Sequence, residues 1–115
     1  MILPSMMKFQ LGRLVITPAV LSTASVDEIC RAIDRHICGD WGDVSESVHN
    51  ANESALRNGG ELLSVYRATG GIELQVLTTA DRLITTVHLS SEAGHLWTPE
   101  RTPTELSRVT GNTAK

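Results

Sequence analysis

The hydrophobic positions change period once along the chain, and the change separates a helical half from a strand-rich half. Val26, Ile29, Cys30, Ile33 and Ile37 recur at helical spacing behind Ser25-Val26-Asp27-Glu28, which has the form of a capping box. A helix over 26–38 is expected, with Cys30 on its buried face as a small core residue and Gly39 closing it. Val44, Val48, Ala51, Ala55 and Leu56 keep a narrower stripe, so a second helix should cover 45–58 and stop at Gly59-Gly60. After that the period is two, in the runs 61–67, 72–78 and 83–89. Thr69-Gly70-Gly71 suits a hairpin loop between the first two runs, and 79–82 turns the chain again around Asp81. Ahead of the helices, the β-branched run 13–17 ends at Pro18. It reads as an edge strand followed by a turn or by a helix capped by Thr17. Together these elements predict an α+β fold: two helices on one face of an antiparallel meander of three strands, or four if 13–17 joins the edge. Leu74 and Ile33 should share its core.

Length and composition narrow the setting. The 115 residues suffice for one compact domain, expected over 9–90, with an extension at 1–8 and a polar tail at 91–115 that is mobile or held only by Trp97. Met6 and Met7 offer alternative starts to Met1. Ten basic against thirteen acidic residues give a net charge of −3, which supplies no global field for nucleic acid or an anionic membrane. Four aromatic residues, Phe9, Trp41, Tyr66 and Trp97, are too few for a base-stacking platform. The opening MILPSMMK lacks the features of a secretory signal, and no apolar run approaches a membrane span. A cytoplasmic protein with reduced thiols is the expectation.

The residues that carry chemistry give no strong motif. Cys30, His36 and Cys38 match no closed zinc spacing, and no cofactor is expected. Ser47, Ser54, Ser64, His49, His88 and His95 supply the residue types of a nucleophile and base, but no nucleophile elbow accompanies them. His49 and His88 read as surface residues of a helix and a strand. The glycine pairs Gly59-Gly60 and Gly70-Gly71 stand where helix-stop and hairpin geometry already ask for glycine.

The middle of the chain is more informative. Between Asp27 and Glu53 lie seven acids (Asp27, Glu28, Asp34, Asp40, Asp43, Glu46 and Glu53) against Arg31 and Arg35, a local charge of −5, while the rest sums to +2. Such a helical layer either is a pair of solvated faces or meets a basic groove on another protein. Trp41, between two Gly-Asp pairs, either plugs the core at a helix–helix connection or anchors an interface. The candidate partner-binding set is therefore Asp40, Trp41, Asp43, Glu46 and Glu53.

Several short stretches form a series: Leu11-Gly12, Thr17-Pro18, the GDWGD turn over 39–43, Asn52, Ser64 with Tyr66, Thr79 to Arg82, and Thr85-Thr86. In this order, over about 9–90, the chain resembles a family of small "plasmid-related" proteins of bacterial plasmids, integrative elements and phages. The resemblance implies a mobile-element setting and no established reaction. The expected function is a non-enzymatic accessory protein that binds a host protein, such as a defence nuclease or surveillance complex. It would act as a counter-defence inhibitor, anti-CRISPR or anti-restriction, by occluding a basic surface. Two alternatives stand: an enzyme or small-ligand binder with Asp81, Arg82 and Tyr66 at one edge of the sheet, and an antitoxin-like regulator. An edge strand, together with a solvent-side face carrying Thr86 and His88, would also let two copies pair as a homodimer.

Overall fold

The computed structural model describes residues 4–95, and the expectation for Trp97 and the chain beyond it lies outside them. The chain runs through β1 (Arg13–Ile16), α1 (Pro18–Thr23), α2 (Val26–Ile37), α3 (Glu46–Asn58), β2 (Leu62–Arg67), β3 (Glu73–Thr78) and β4 (Ile84–Leu89). Local chemistry explains the helix starts. Thr17 accepts from the Val20 amide ahead of Pro18, Ser45 accepts from the Val48 amide, and Ser25 and Glu28 form the reciprocal capping box. The strand order is β1-β4-β3-β2.

The α+β class holds, with two corrections: three helices stand where two were expected, α1 being the short one that starts at Pro18, and the sheet is mixed. Strands β2, β3 and β4 form the antiparallel meander, but β1 pairs parallel with β4, Arg13 opposite Ile84 and Ile16 opposite Val87. Alternating hydrophobicity reports which face a residue takes and carries nothing about strand direction. The long excursion between β1 and β4 permits either direction.

The helices pack against the sheet face that carries Tyr66, Leu74, Val76 and Val87, which join Val20, Ile29 and Ala32 in the larger core cluster. Leu74 lies in this cluster and Ile33, partly buried, packs against it, so the two share one core as expected. A smaller cluster holds Trp41, Ala55 and Leu62, with Phe9, Val44 and Leu56 against it. Fully burying each large aliphatic contributes about 1.5 to 3 kcal/mol.

Two expectations about burial fail. Cys30 is exposed and Val26 is 72% exposed, because the sheet-facing stripe of α2 runs through Ile29, Ala32, His36 and Ile37. At 100° per residue Cys30 falls outside that stripe, and Val26 lies in the first turn, at the helix end. His88 is also no surface residue. It is 5% exposed on β4, opposite Gln75, whose side-chain oxygen lies 3.0 Å from His88 Nε2. His49 is exposed on α3. The polar segment expected from 91 onward begins as a 3-10 turn over Ser90–His95, and the Glu92 carboxylate accepts from the Leu89 amide and the Thr17 hydroxyl.

Candidate functional site

The GDWGD turn is the first place where the singled-out residues meet. Gly39 and Gly42 both take positive φ, and a Cβ on Gly42 would stand 2.1 Å from the Val65 carbonyl oxygen. That close approach lets the turn lie along β2 as a short parallel bridge, Gly42 opposite Val65. The Val65 amide donates to the Trp41 carbonyl at 3.0 Å, and the Asp43 amide donates to the Val65 carbonyl at 2.7 Å. Trp41 is 2% exposed, stacked on Phe9, edge-on to His36, and donates from Nε1 to Glu53 at 2.9 Å. It is a core plug and offers no side chain to a partner.

Two of the four acids around it are answered by cations. Arg35 holds Asp40 side-on through Nε and Nη2 at 2.8 and 3.1 Å, while its guanidinium lies 4.6 Å over the Tyr66 ring. This bidentate bond holds the Asp40 carboxyl below its ordinary range. Asp43 accepts from Arg67 of β2 at 3.1 Å. The local charge of −5 counted along the chain is thus reduced in space by an arginine from another element. Glu53 is half-buried against Trp41, leaving Glu46, exposed in the first turn of α3, as the one member of the candidate set with no side-chain partner among the described residues.

A second constellation was missed by sequence reasoning. Buried His36 sits between Ser64 and Thr78, Nδ1 to Ser64 Oγ at 2.6 Å and Nε2 to Thr78 Oγ1 at 2.9 Å. Thr78 and Thr85 hydroxyls are 2.7 Å apart, and Thr85 donates to the Leu11 carbonyl at 2.7 Å. That terminal acceptor sets the direction of the whole chain. Thr85 spends its proton on Leu11, so Thr78 donates to Thr85. His36 must then carry its proton on Nε2, and Nδ1 accepts from Ser64. Burial, with Arg82 nearby, pushes the His36 pKa down to about 3. A histidine at hydrogen-bond distance from a serine has the form of a base and its nucleophile, yet both are fully buried. Ser64 cannot meet a substrate in this arrangement. A polar residue on an otherwise apolar helix stripe was the available signal.

Asp81, Arg82 and Tyr66 do not assemble. Tyr66 lies opposite Leu74, four residues along β3 from Thr78, after which the chain turns through Asp81 and Arg82; the two groups are roughly 13 Å apart along the strand. Tyr66 instead donates to the Asp40 carbonyl at 2.5 Å. Arg82, at φ 63, gives its guanidinium protons to the carbonyls of Ala55, Gly60, Thr79 and Ala80, closing the end of α3 onto the β3–β4 turn. A non-glycine residue in this region is strained by about 1 kcal/mol or more, and the four carbonyls offset it. Asp81 accepts from the Leu83 amide and the Thr79 hydroxyl.

Asn52 completes the picture. It is buried on α3, donates to the Leu63 carbonyl at 2.8 Å and accepts from the Leu63 amide at 3.0 Å. Of the motif residues above, Gly42, Asn52, Ser64, Tyr66, Arg82 and Thr85 all serve the interior or the seams between elements. The same holds for Gly12, where a Cβ would stand 2.4 Å from the Arg82 carbonyl oxygen. Among the described residues no group of three metal-ligating side chains converges, and no helix is long and apolar enough to cross a membrane. In comparison with known proteins, no family model, curated protein or solved structure matches the chain.

Proposed function

We propose that this chain is a non-enzymatic protein-binding accessory factor of a mobile genetic element, a counter-defence inhibitor that covers a basic surface of a host nuclease or surveillance complex. One observation carries the non-catalytic part: the His36–Ser64 pair is sealed in the interior, with the imidazole's one proton already committed to Thr78. Exposed acids on α2, on the GDWGD turn and on α3 support the binding part. Asp27, Asp34, Asp40, Asp43 and Glu46 are all exposed, and Asp40 and Asp43 keep more than half of their side-chain surface open even while paired. Complementary charge of this kind accelerates encounter and orients partners more than it adds affinity.

The test is capture from a host lysate with the tagged full chain, followed by association kinetics on whatever nuclease or surveillance complex is retained. Reversing Asp27, Asp34 and Glu46 to Lys avoids the Asp40 and Asp43 ion pairs. Association should slow, with the deficit shrinking as salt rises. A triple variant that associates at the wild-type rate at low salt would overturn the acidic mechanism. A captured complex whose active site is left open would overturn inhibition by occlusion.

A further inference from the structure

The outer edge of β1 is the one place in the described sheet where a strand is left unpaired, and its hydrogen-bonding phase specifies an occupant. The Arg13 amide donates to the Leu83 carbonyl and the Thr17 amide to the Val87 carbonyl, so the odd positions of this strand bond to β4. In a parallel ladder the alternate residues, Leu14 and Ile16, then direct both N–H and C=O away from the sheet. Leu14 and Val15, on opposite faces, are 41% and 40% exposed. Beyond Arg13 at its start, this four-residue strand carries apolar residues on both faces and no proline, bulge or lysine, a pattern closer to an interior strand than to a blocked edge. The chain leaves it at Pro18, and α1 packs back over β4, so among the described residues no helix is seen to cover the edge.

We infer that β1 pairs antiparallel with β1 of a second copy of this chain about a two-fold axis through Val15, giving a continuous eight-stranded sheet. Only registers that keep side chains on matching faces are allowed when the axis is normal to the sheet. Centring on Val15 places Leu14 opposite Ile16 of the partner subunit, and both of these residues point their amides outward. Four backbone hydrogen bonds form, two at each Leu14–Ile16 pair. Val15 meets Val15 of the partner subunit in a close non-hydrogen-bonded pair. Centring on Leu14 would make only two such bonds and set Arg13 against a valine. The opposite edge explains why the assembly stops at two. The outward-facing groups of β2 at Leu63 and Val65 are already taken by Asn52, Trp41 and Asp43, so no third copy can add there. This inference does not rest on the function proposed above.

Sedimentation equilibrium of the full chain is the test, read at concentrations up to about 200 µM because a dimer of this kind is governed by mass action. The expected mass approaches twice 12.5 kDa. Val15→Lys puts two like charges at the axis and should weaken dimerisation about tenfold or more. Mixing it with Val15→Asp should restore a heterodimer. Leu14→Pro removes only an outward donor and should give a folded monomer by circular dichroism. Should these variants misfold, Val15→Cys with Cys30→Ser decides the matter. The axis pair lies at a Cα separation of about 4.5 Å, within disulfide reach, and should oxidise to a covalent dimer. A wild-type mass of one chain throughout, a dimer unmoved by both Val15→Lys and Leu14→Pro, a predominance of larger species, or no cross-link at Val15→Cys would overturn the inference.

Discussion

The two edges of the sheet are built to opposite specifications. At β2 the Trp41–Asp43 turn and the Asn52 side chain occupy the backbone groups of Val65 and Leu63, so a side-chain amide and a three-residue bridge complete the work of a fifth strand. At β1 nothing of the kind is found among the described residues, and leucine and valine stand in the open. The closed edge also anchors the interior. Trp41, Phe9 and His36 pack behind it, and the hydrogen-bonded line from Ser64 through His36, Thr78 and Thr85 to Leu11 crosses the sheet from the β2 side to the segment preceding β1. An unpaired edge left beside so thorough a closure is a surface kept available, since exposed edges invite pairing unless they are blocked.

Breaking the closed edge should have the largest effects. Trp41→Ala removes the plug behind the GDWGD turn and should cost about 3 to 5 kcal/mol in a urea melt, a large share of the stability of a domain this size. Loss of under 1 kcal/mol would mean that the turn is held by its backbone bonds alone. Asn52→Ala deprives the Leu63 amide and carbonyl of their partners and should cost about 2 to 3 kcal/mol. It should also open β2 to pairing, visible as concentration-dependent association beyond the dimer.

Acid attacks the same side of the molecule. His36 has a folded pKa near 3, below its ordinary 6.5, so the unfolded chain takes up a proton that the folded one refuses. Its contribution is fully present above pH 6.5 and is lost as pH falls from there toward 3, at up to about 1.4 kcal/mol per pH unit. Burial depresses His88 as well, and its contribution has the same sign. The depressed carboxylates Glu28, Asp40 and Asp81 lose their contribution only at lower pH, below their ordinary range. Unfolding between pH 6.5 and 4.5 should therefore show a loss of about 2 kcal/mol or more, belonging to the histidines. A flat profile over that window would mean that His36 is not held neutral. The open edge should be nearly indifferent by comparison. Leu14→Lys should change monomer stability by about 0.5 kcal/mol or less, because its side chain is already two-fifths exposed.

Much of this fold is legible in the residue pattern, and the candidate site much less so. The capping box at Ser25, the Thr17-Pro18 helix start and the three period-two runs mark elements to within a residue or two, because caps and alternation are local chemistry. The parallel sense of β1 is a long-range outcome with no local signature. His36 and Asn52 looked like polar positions on helices, and their roles depend on strands 11 to 42 residues away. Asp43 reads as free charge until Arg67, 24 residues away, arrives beside it. Counting charge along a chain overstates charge on a surface whenever another element supplies the counter-ion.

Amide hydrogen exchange, residue by residue, tests the contrast between the edges most directly, and dilute Val15→Lys is the form in which to measure it because the substitution disfavours pairing at β1. Leu63 and Val65, whose amides are held by Asn52 and Trp41, should exchange only through near-global opening, while Leu14 and Ile16 should exchange almost as freely as unstructured chain. Leu63 and Val65 exchanging as fast as Leu14 and Ile16 would contradict it.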